Sequence, residues 1–374
     1  MVIFISNFVS PHTIPFSEEL YALLGEQFLF IETRAMSAER SSLGYDKLRQ
    51  KPFVVDFEHF QMQKEQYMAL IDNADVVLAS LGSIDISLLE GRIVNNRQTF
   101  LMSERLFKKG WLKFADPKLW KTMRFIRRIQ DKNFHLLCMG AYVAKDFARV
   151  GFPKDKMWKF GYITTPSAKD CDKLMYDKCS LPIKILWVGR MIWWKQPLDP
   201  IKAVSRLLED GHDVLLNVVG GGKLEDKVKK LIANLNKNSR IQYSGLKDNS
   251  VVRNMMEESH VLLCTSNRLE GWGAVINEGM NAGCVVVANQ SMGAAPYLIE
   301  DGVTGFTYDG GEDALYRKLK SVLTESNMKS VARNGYDTIT KEWCPKTCAE
   351  KFLVFCKTIK EGNVPFEVGP FSKA

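Results

Sequence analysis

Short apolar runs separated by longer amphipathic stretches recur along the whole chain, and this alternation limits the fold more than any other feature. In the first half, Val2–Ser6, Phe28–Glu32, Val76–Ser80, Thr99–Ser103 and His135–Met139 read as buried strands, with Val54–Phe57 a weaker one. Phe16–Leu24, Phe60–Ile71, Ile84–Asn95 and Lys118–Gln130 read as the helices between them. The second half repeats the pattern. Its strands are Ile183–Gly189, Val214–Val219, Ile241–Ser244, Val261–Thr265, Val285–Asn289 and Gly305–Tyr308. Its helices are a segment opening near Pro197, then Leu224–Leu235, Val251–Glu258, Ala274–Ala282 and Asp313–Leu323. Strands that are apolar throughout and alternate with helices form parallel sheets covered on both faces. A chain of 374 residues is long for one core and suits two. Between Thr164 and Pro182 the periodicity lapses into a polar stretch holding Pro166 and Pro182. The expected division is a first α/β domain over 1–163, a linker over 164–182 and a second α/β domain over 183–345. Pro345 is expected to stop the last regular segment. The amphipathic stretch Thr347–Lys360, within 346–374, is expected to pack back on the first domain.

Two open parallel sheets bind ligands beyond the carboxyl ends of their strands, so the chemistry is sought in the loops there. Gly189-Arg190 ends one strand, and Lys195 follows on the same loop, just before the helix at Pro197. Two cations beside a helix N-terminus suit a diphosphate; a pair of solvated surface cations is the plain alternative. Gly220-Gly221-Gly222 follows the next strand, and Gly245-Leu246 the one after. A ligand pressed close to the backbone uses glycines there, and so does a simple tight turn. Leu246 is a candidate for reading the base. Glu270-Gly271-Trp272-Gly273 then leads into Ala274 and Glu278. The glycines let backbone N–H groups reach phosphate oxygens. Glu278, one turn into the helix, leans back toward the same space, where a carboxylate can accept from ribose hydroxyls. Glu270 can accept from sugar hydroxyls. Singly, either glutamate reads as a solvated carboxylate.

Taken together these residues resemble the family 4 glycosyltransferases, retaining enzymes of the GT-B fold, over roughly 183–310, with weaker similarity through Met139–Tyr162. The resemblance implies two Rossmann-like domains facing across a cleft, with the nucleotide-sugar donor in the second. It implies that Arg190 and Lys195 bind the donor diphosphate and that Glu270 touches the transferred sugar. Gly271, Trp272 and Gly273 would offer backbone amides, and Glu278 would hold the ribose. It implies catalysis with no metal and no cofactor. The expected donor is a nucleotide-diphosphate sugar, UDP- ahead of GDP-, carrying a hexose. The sequence departs from the family pattern at Gln196, where glycine is usual, at Tyr297, where an acid commonly follows Pro296, and at Asn281 and Cys284.

The first domain would then hold the acceptor. His12, in the loop after the first strand, could orient or deprotonate an acceptor hydroxyl. Glu104 and Arg105 follow the strand Thr99–Ser103 and occupy a similar place. From Arg105 to Lys132 ten basic residues stand against two acidic ones, a surplus equal to the +8 of the whole chain. They interleave with Phe107, Trp111, Leu112, Phe114, Trp120, Phe125 and Ile126. Cations mixed with large apolar side chains suit an anionic membrane surface. A solvated helix face and a nucleic acid are the other readings, and nucleic acid is set aside as a partner. No apolar run is long enough to span a bilayer, and Met1–Asn7 lacks the basic start of a signal peptide. Eight scattered cysteines, with no CxxC pair, fit reduced thiols in the cytoplasm. The expectation is a cytoplasmic enzyme, peripheral on the inner membrane face, extending a glycan or lipid-linked glycan in bacterial surface polysaccharide assembly. A nucleotide-sugar epimerase of the same architecture and a non-catalytic nucleotide-sugar-binding subunit are the alternatives.

Overall fold

A computed structural model describes residues 1–38, 41, 45–108, 110, 116–176, 178, 181–235 and 239–374. The chain forms two compact units, one of Met1–Thr165 with Trp343–Ala374 and one of Pro166–Glu342. The first holds seven strands: β1 (Val2–Ser6), β2 (Phe28–Glu32), β3 (Val54–Val55), β4 (Val76–Ser80), β5 (Thr99–Ser103), β6 (Phe134–Met139) and β7 (Met157–Phe160). Every pairing is parallel, in the order β3-β2-β1-β4-β5-β6-β7. The strands are buried on both faces because both faces are covered. Ile3, Ile5, Val77, Ala79, Leu101 and Leu136 enter one core, and Val2, Phe4, Phe30, Leu78, Phe100 and Leu137 enter the other. The side-chain alternation of a strand thus serves two apolar layers.

The last helix, Pro345–Thr358, supplies the cover for the second of these layers. Phe352 and Phe355 each lie 5.4 Å from the Phe100 ring, and Phe355 lies 4.8 Å from Trp158. Pro345 therefore opens a helix, where sequence reading made it a stop. The first helical position has no use for an N–H, and the ring fixes the helical φ. Val54–Phe57 shortens to β3, because Asp56 caps the helix Phe57–Met62 by accepting from the His59 N–H at 2.8 Å.

The second unit holds β8 (Ile183–Val188), β9 (Val214–Val219), β10 (Ile241–Gly245), β11 (Val261–Cys264), β12 (Val285–Asn289) and β13 (Phe306–Tyr308). They too are parallel, in the order β10-β9-β8-β11-β12-β13. The stretch expected as a linker carries the helix Cys171–Tyr176, whose Cys171 and Met175 join the core of this unit. Buried Lys178 donates to the Ala282 carbonyl at 2.7 Å, at the C-terminal end of the helix Val275–Asn281. A cation there meets the negative end of the helix dipole. The seven described cysteines are buried thiols, and Cys179 lies outside the described residues.

Two polar side chains, one buried and one half-buried, secure the first sheet. Arg92 is fully buried and donates to Thr99 Oγ1 and to the carbonyls of Ile71, Ala74 and Gln98, at 2.6–2.9 Å. Burial lowers its pKa to about 10, which leaves it charged. His135 accepts from Trp158 Nε1 through Nδ1 at 3.3 Å and lies 3.0 Å from Asn133 Oδ1 through Nε2. These contacts fix the neutral tautomer protonated on Nε2. Burial and the charges of Lys156 and Lys373 depress the pKa to about 4. The folded state therefore binds fewer protons than the unfolded chain, and stability is lost as pH falls from about 6.5 toward 4, by about 3 kcal/mol at most. Urea denaturation of His135→Gln between those pH values should show a shallower pH slope than wild type. Equal slopes would mean that another group sets the acid limb.

Candidate functional site

In the second unit three strand ends are joined by backbone contact. A Cβ on Gly220 would lie 2.0 Å from the Gly189 carbonyl oxygen, and φ at Gly220 is +135°. With no side chain in the way, Met191 N–H donates to Gly221 O at 2.8 Å, and Leu224 N–H to Met191 O at 2.8 Å. Gly220 N–H reaches Gly245 O at 2.9 Å. The close approach that demands glycine at 220 is thus made by the chain's own backbone. Gly221 is more open, facing Leu246 and Glu225, and Leu246 is 82% exposed.

The β8 loop is pinned to the β11 loop by one buried hydroxyl. Thr265 Oγ1 accepts from Trp187 Nε1 at 2.8 Å and donates to the Lys195 carbonyl at 2.7 Å. Asn267 N–H donates to Trp194 O at 2.8 Å. Lys195 Nζ and Glu270 Oε2 then form an ion pair at 2.5 Å, both side chains more than four-fifths buried. Arg190 is exposed, with its guanidinium 5.8 Å from the Trp194 ring, and has no ion pair among the described residues. Lys195 and Glu270 are therefore brought together, and Arg190 stands on the same loop with its charge available.

The segment Gly271-Trp272-Gly273-Ala274 is shaped from behind. Trp272 is buried, and its indole donates to Asn277 Oδ1 at 2.8 Å, so its side chain serves the core and only its backbone can serve a ligand. Gly273 has φ +99°, and a Cβ there would lie 2.5 Å from the end of the Met292 side chain. Ala274 caps the helix Val275–Asn281, which carries Glu278. Glu278 is reached by solvent, while the protein around it pushes its carboxyl above the ordinary value by desolvation, against the pull of Arg253 and Lys195. Water reaches the carboxylate, which can accept hydrogen bonds.

In the first unit a cavity of about 650 Å³ opens at the carboxyl ends of β1, β4 and β5, lined among others by Asn7, His12, Glu104, Arg105, Lys108 and Tyr162. His12 stacks on Tyr162, with ring centroids 4.6 Å apart. Tyr162 Oη donates to Glu104 Oε1 at 2.8 Å, and Lys108 pairs with the other oxygen of that carboxylate. Burial lowers the His12 pKa while Glu104 raises it. His12 and Glu104 thus face one space. Arg105 lines it too, but its guanidinium is held by buried Asp146 at 3.3 Å and lies over the Tyr142 ring. Sequence reading did not single out Tyr162, Lys108 or Glu32. Glu32 is fully buried, accepts from the Val9 N–H at 2.8 Å and pairs with Arg49 at 2.8 Å, which fixes the loop carrying His12. An acid closing an otherwise apolar strand was the one available signal.

Residues 179–338, nearly the whole second unit, match the family Glycosyl transferases group 1. The chain is similar to LpsE, a lipopolysaccharide core biosynthesis glycosyltransferase of Rhizobium meliloti, at 22% identity over 220 residues, 58% of this chain and 62% of that one. It is 27% identical over 158 residues, 42% of each chain, to the N-acetylgalactosamine-N,N'-diacetylbacillosaminyl-diphospho-undecaprenol 4-alpha-N-acetylgalactosaminyltransferase of Campylobacter jejuni. The matched stretches span roughly two fifths to three fifths of the length of these curated relatives. The solved structure of Anabaena HepE in complex with UDP is similar over 96% of this chain and 99% of its own, with a TM-score of 0.68 and 16% identity. The fold is that of the GT-B glycosyltransferases, two Rossmann-like halves with parallel sheets.

Thr265→Val should leave the Trp187 indole N–H and the Lys195 carbonyl without their shared partner, a loss of about 1–3 kcal/mol. Thermal unfolding of the variant reads this, and Trp187→Phe in the same background should recover part of it. A loss below about 0.5 kcal/mol would show that the hydroxyl does not hold the two loops.

Proposed function

We propose that the protein is a retaining glycosyltransferase. It moves a hexose from a nucleotide-diphosphate sugar, UDP- ahead of GDP-, to a glycan acceptor carried on a lipid, in bacterial surface polysaccharide assembly. The observation that carries this reading is the juxtaposition of Lys195 and Glu270, with an available Arg190, in the unit that matches the group 1 glycosyltransferases.

As the bond from the sugar to the diphosphate breaks, negative charge grows on the leaving oxygens. Arg190 and Lys195 stabilise that charge more in the transition state than in the ground state, which is what accelerates the step. In the free protein Lys195 is neutralised by Glu270; a bound donor gives Lys195 the phosphate and gives Glu270 the sugar hydroxyls. Glu278 accepts from the ribose. The leaving phosphate takes the proton of the acceptor hydroxyl, and no metal is required in this scheme. The cavity beside His12 and Glu104 takes the acceptor, with His12 orienting its hydroxyl. An epimerase of the same architecture would have no use for that second site. The uridine nucleotide is favoured by HepE, which is described in complex with UDP, and the lipid carrier by the diphospho-undecaprenol in the name of the Campylobacter relative.

A thermal-shift series with UDP, GDP and their common sugars tests the donor site. A ligand at one hundred times its Kd should add about 2.7 kcal/mol to wild type. Arg190→Ala and Glu278→Ala should lose most of that gain. If no nucleotide raises the wild-type midpoint, the donor reading fails.

The membrane reading rests on the helix Pro117–Ile129. Leu119, Phe125, Ile126 and Ile129 are buried, and Lys121, Arg124 and Arg127 are exposed on the face that also carries Trp120, 57% exposed. Trp111, Leu112 and Phe114 lie outside the described residues. No described helix is long and apolar enough to cross a membrane. Each cation near an anionic surface contributes about 1 kcal/mol, and an indole suits the headgroup layer. Liposomes with anionic lipid should retain the protein in flotation, neutral liposomes should not, and Arg124→Glu with Arg127→Glu should abolish retention. Equal flotation with both liposomes would end this reading.

A further inference from the structure

Gln196 combines two unfavourable features that nothing else in the site explains. It follows Lys195 directly, and its backbone is left-handed, with φ 51° and ψ 53°. That region favours glycine, yet the residue is a long amide. Its side-chain oxygen Oε1 is buried and has no hydrogen-bond donor among the described residues. Buried acceptors are normally satisfied, and residues that are both strained and unsatisfied cluster where a ligand completes them.

The surroundings remove the structural explanations. The backbone of this turn has its partners: Gln196 N–H donates to Trp193 O at 3.3 Å, and Gln196 O accepts from Thr265 Oγ1 and the Asp199 N–H, each at 3.3 Å. Glycine would make the same turn without strain. What glutamine adds is the carboxamide, next to the lysine paired with Glu270. An acceptor oxygen does not attract phosphate oxygens, which already have Arg190 and Lys195 as donors. The hydroxyls of a sugar, or the N–H of an acylated amino sugar, are donors.

We propose that Gln196 is a specificity-determining residue of the donor site, its Oε1 accepting a hydrogen bond from one hydroxyl or amide N–H of the transferred sugar. This rests on the donor-site reading above. A site built around a substrate hydroxyl discriminates strongly against the analogue that lacks it, because the buried acceptor is then left unpaired.

The test uses the full chain and isothermal titration with UDP, UDP-glucose, UDP-galactose, UDP-N-acetylglucosamine and the single-deoxy analogues of whichever sugar binds best. Gln196→Met keeps the shape and removes the acceptor, and Gln196→Gly also relieves the left-handed turn. Both variants should bind UDP within about threefold of wild type, and Gln196→Gly should keep or raise the melting temperature, which shows that it folds. In wild type one deoxy analogue, or the sugar lacking the amide, should bind at least tenfold more weakly than its parent. In both variants that difference should shrink below threefold. Unchanged discrimination would overturn the proposal, as would a loss of UDP binding equal to the loss of sugar-nucleotide binding. Wild type that binds none of these nucleotides, nor their guanosine counterparts, would remove the donor site itself and the proposal with it.

Discussion

The backbone of the β8 loop lies against that of the β9 loop because residue 220 carries no side chain. A methyl group there would lie 2.0 Å from the Gly189 carbonyl oxygen, and no rotamer change could relieve the clash, since that oxygen is main chain. Contact at this distance lets the two loops exchange hydrogen bonds through Met191, Gly221 and Leu224. Arg190 leaves the chain between those bonds, and Lys195 follows one short turn later. The Thr265 hydroxyl then ties the same turn to the strand beyond, where Glu270 begins its own loop. Each charged group is long and flexible, but each stands on backbone that has little freedom. A site preorganised in this way loses little on meeting a charged ligand, which is how fixed dipoles and charges act more strongly than water does.

Much of the fold was legible because its strands are apolar on both faces. β1, β2, β4, β5, β9 and β12 have the limits read from the sequence, each a short run closed by a polar or turn residue. β7 escaped notice: it is an edge strand, Met-Trp-Lys-Phe, with a lysine inside it and its outer side contacted by Ser372 and Lys373 near the end of the chain. The helix Met328–Asp337 was missed although it packs within the second unit through Val331 and Ala332, and Pro345 was misjudged because it lies where the chain passes from one unit to the other. Local propensity says little about a crossing that tertiary packing dictates.

The candidate site was legible to a different degree. Its charged residues stand out as a spaced constellation, and spacing survives in one dimension. Their supports do not. Thr265, which holds the Lys195 turn, is an ordinary end to an ordinary strand until the indole of Trp187 is seen beside it. Tyr162 meets Glu104 and His12 across long stretches of sequence. Trp272, conspicuous between two glycines, turns its ring inward to Asn277. Gln196 was visible as a departure from the expected glycine, but its unsatisfied oxygen is a property of the folded turn alone.

The first unit is assembled from both ends of the chain, with the whole second unit made in between. Phe4, Phe30 and Phe100 line a sheet face whose cover, Phe352 and Phe355, follows the second unit in sequence. A chain growing from its N-terminus must therefore hold that aromatic face open while more than half of its residues are added. The second unit, contiguous in sequence, can close first. Uncovered aromatic surface promotes association between chains. The order of synthesis thus leaves the N-terminal sheet to close after the second unit, and a stop between Glu342 and Pro345 should yield a finished second unit tethered to an unfinished first.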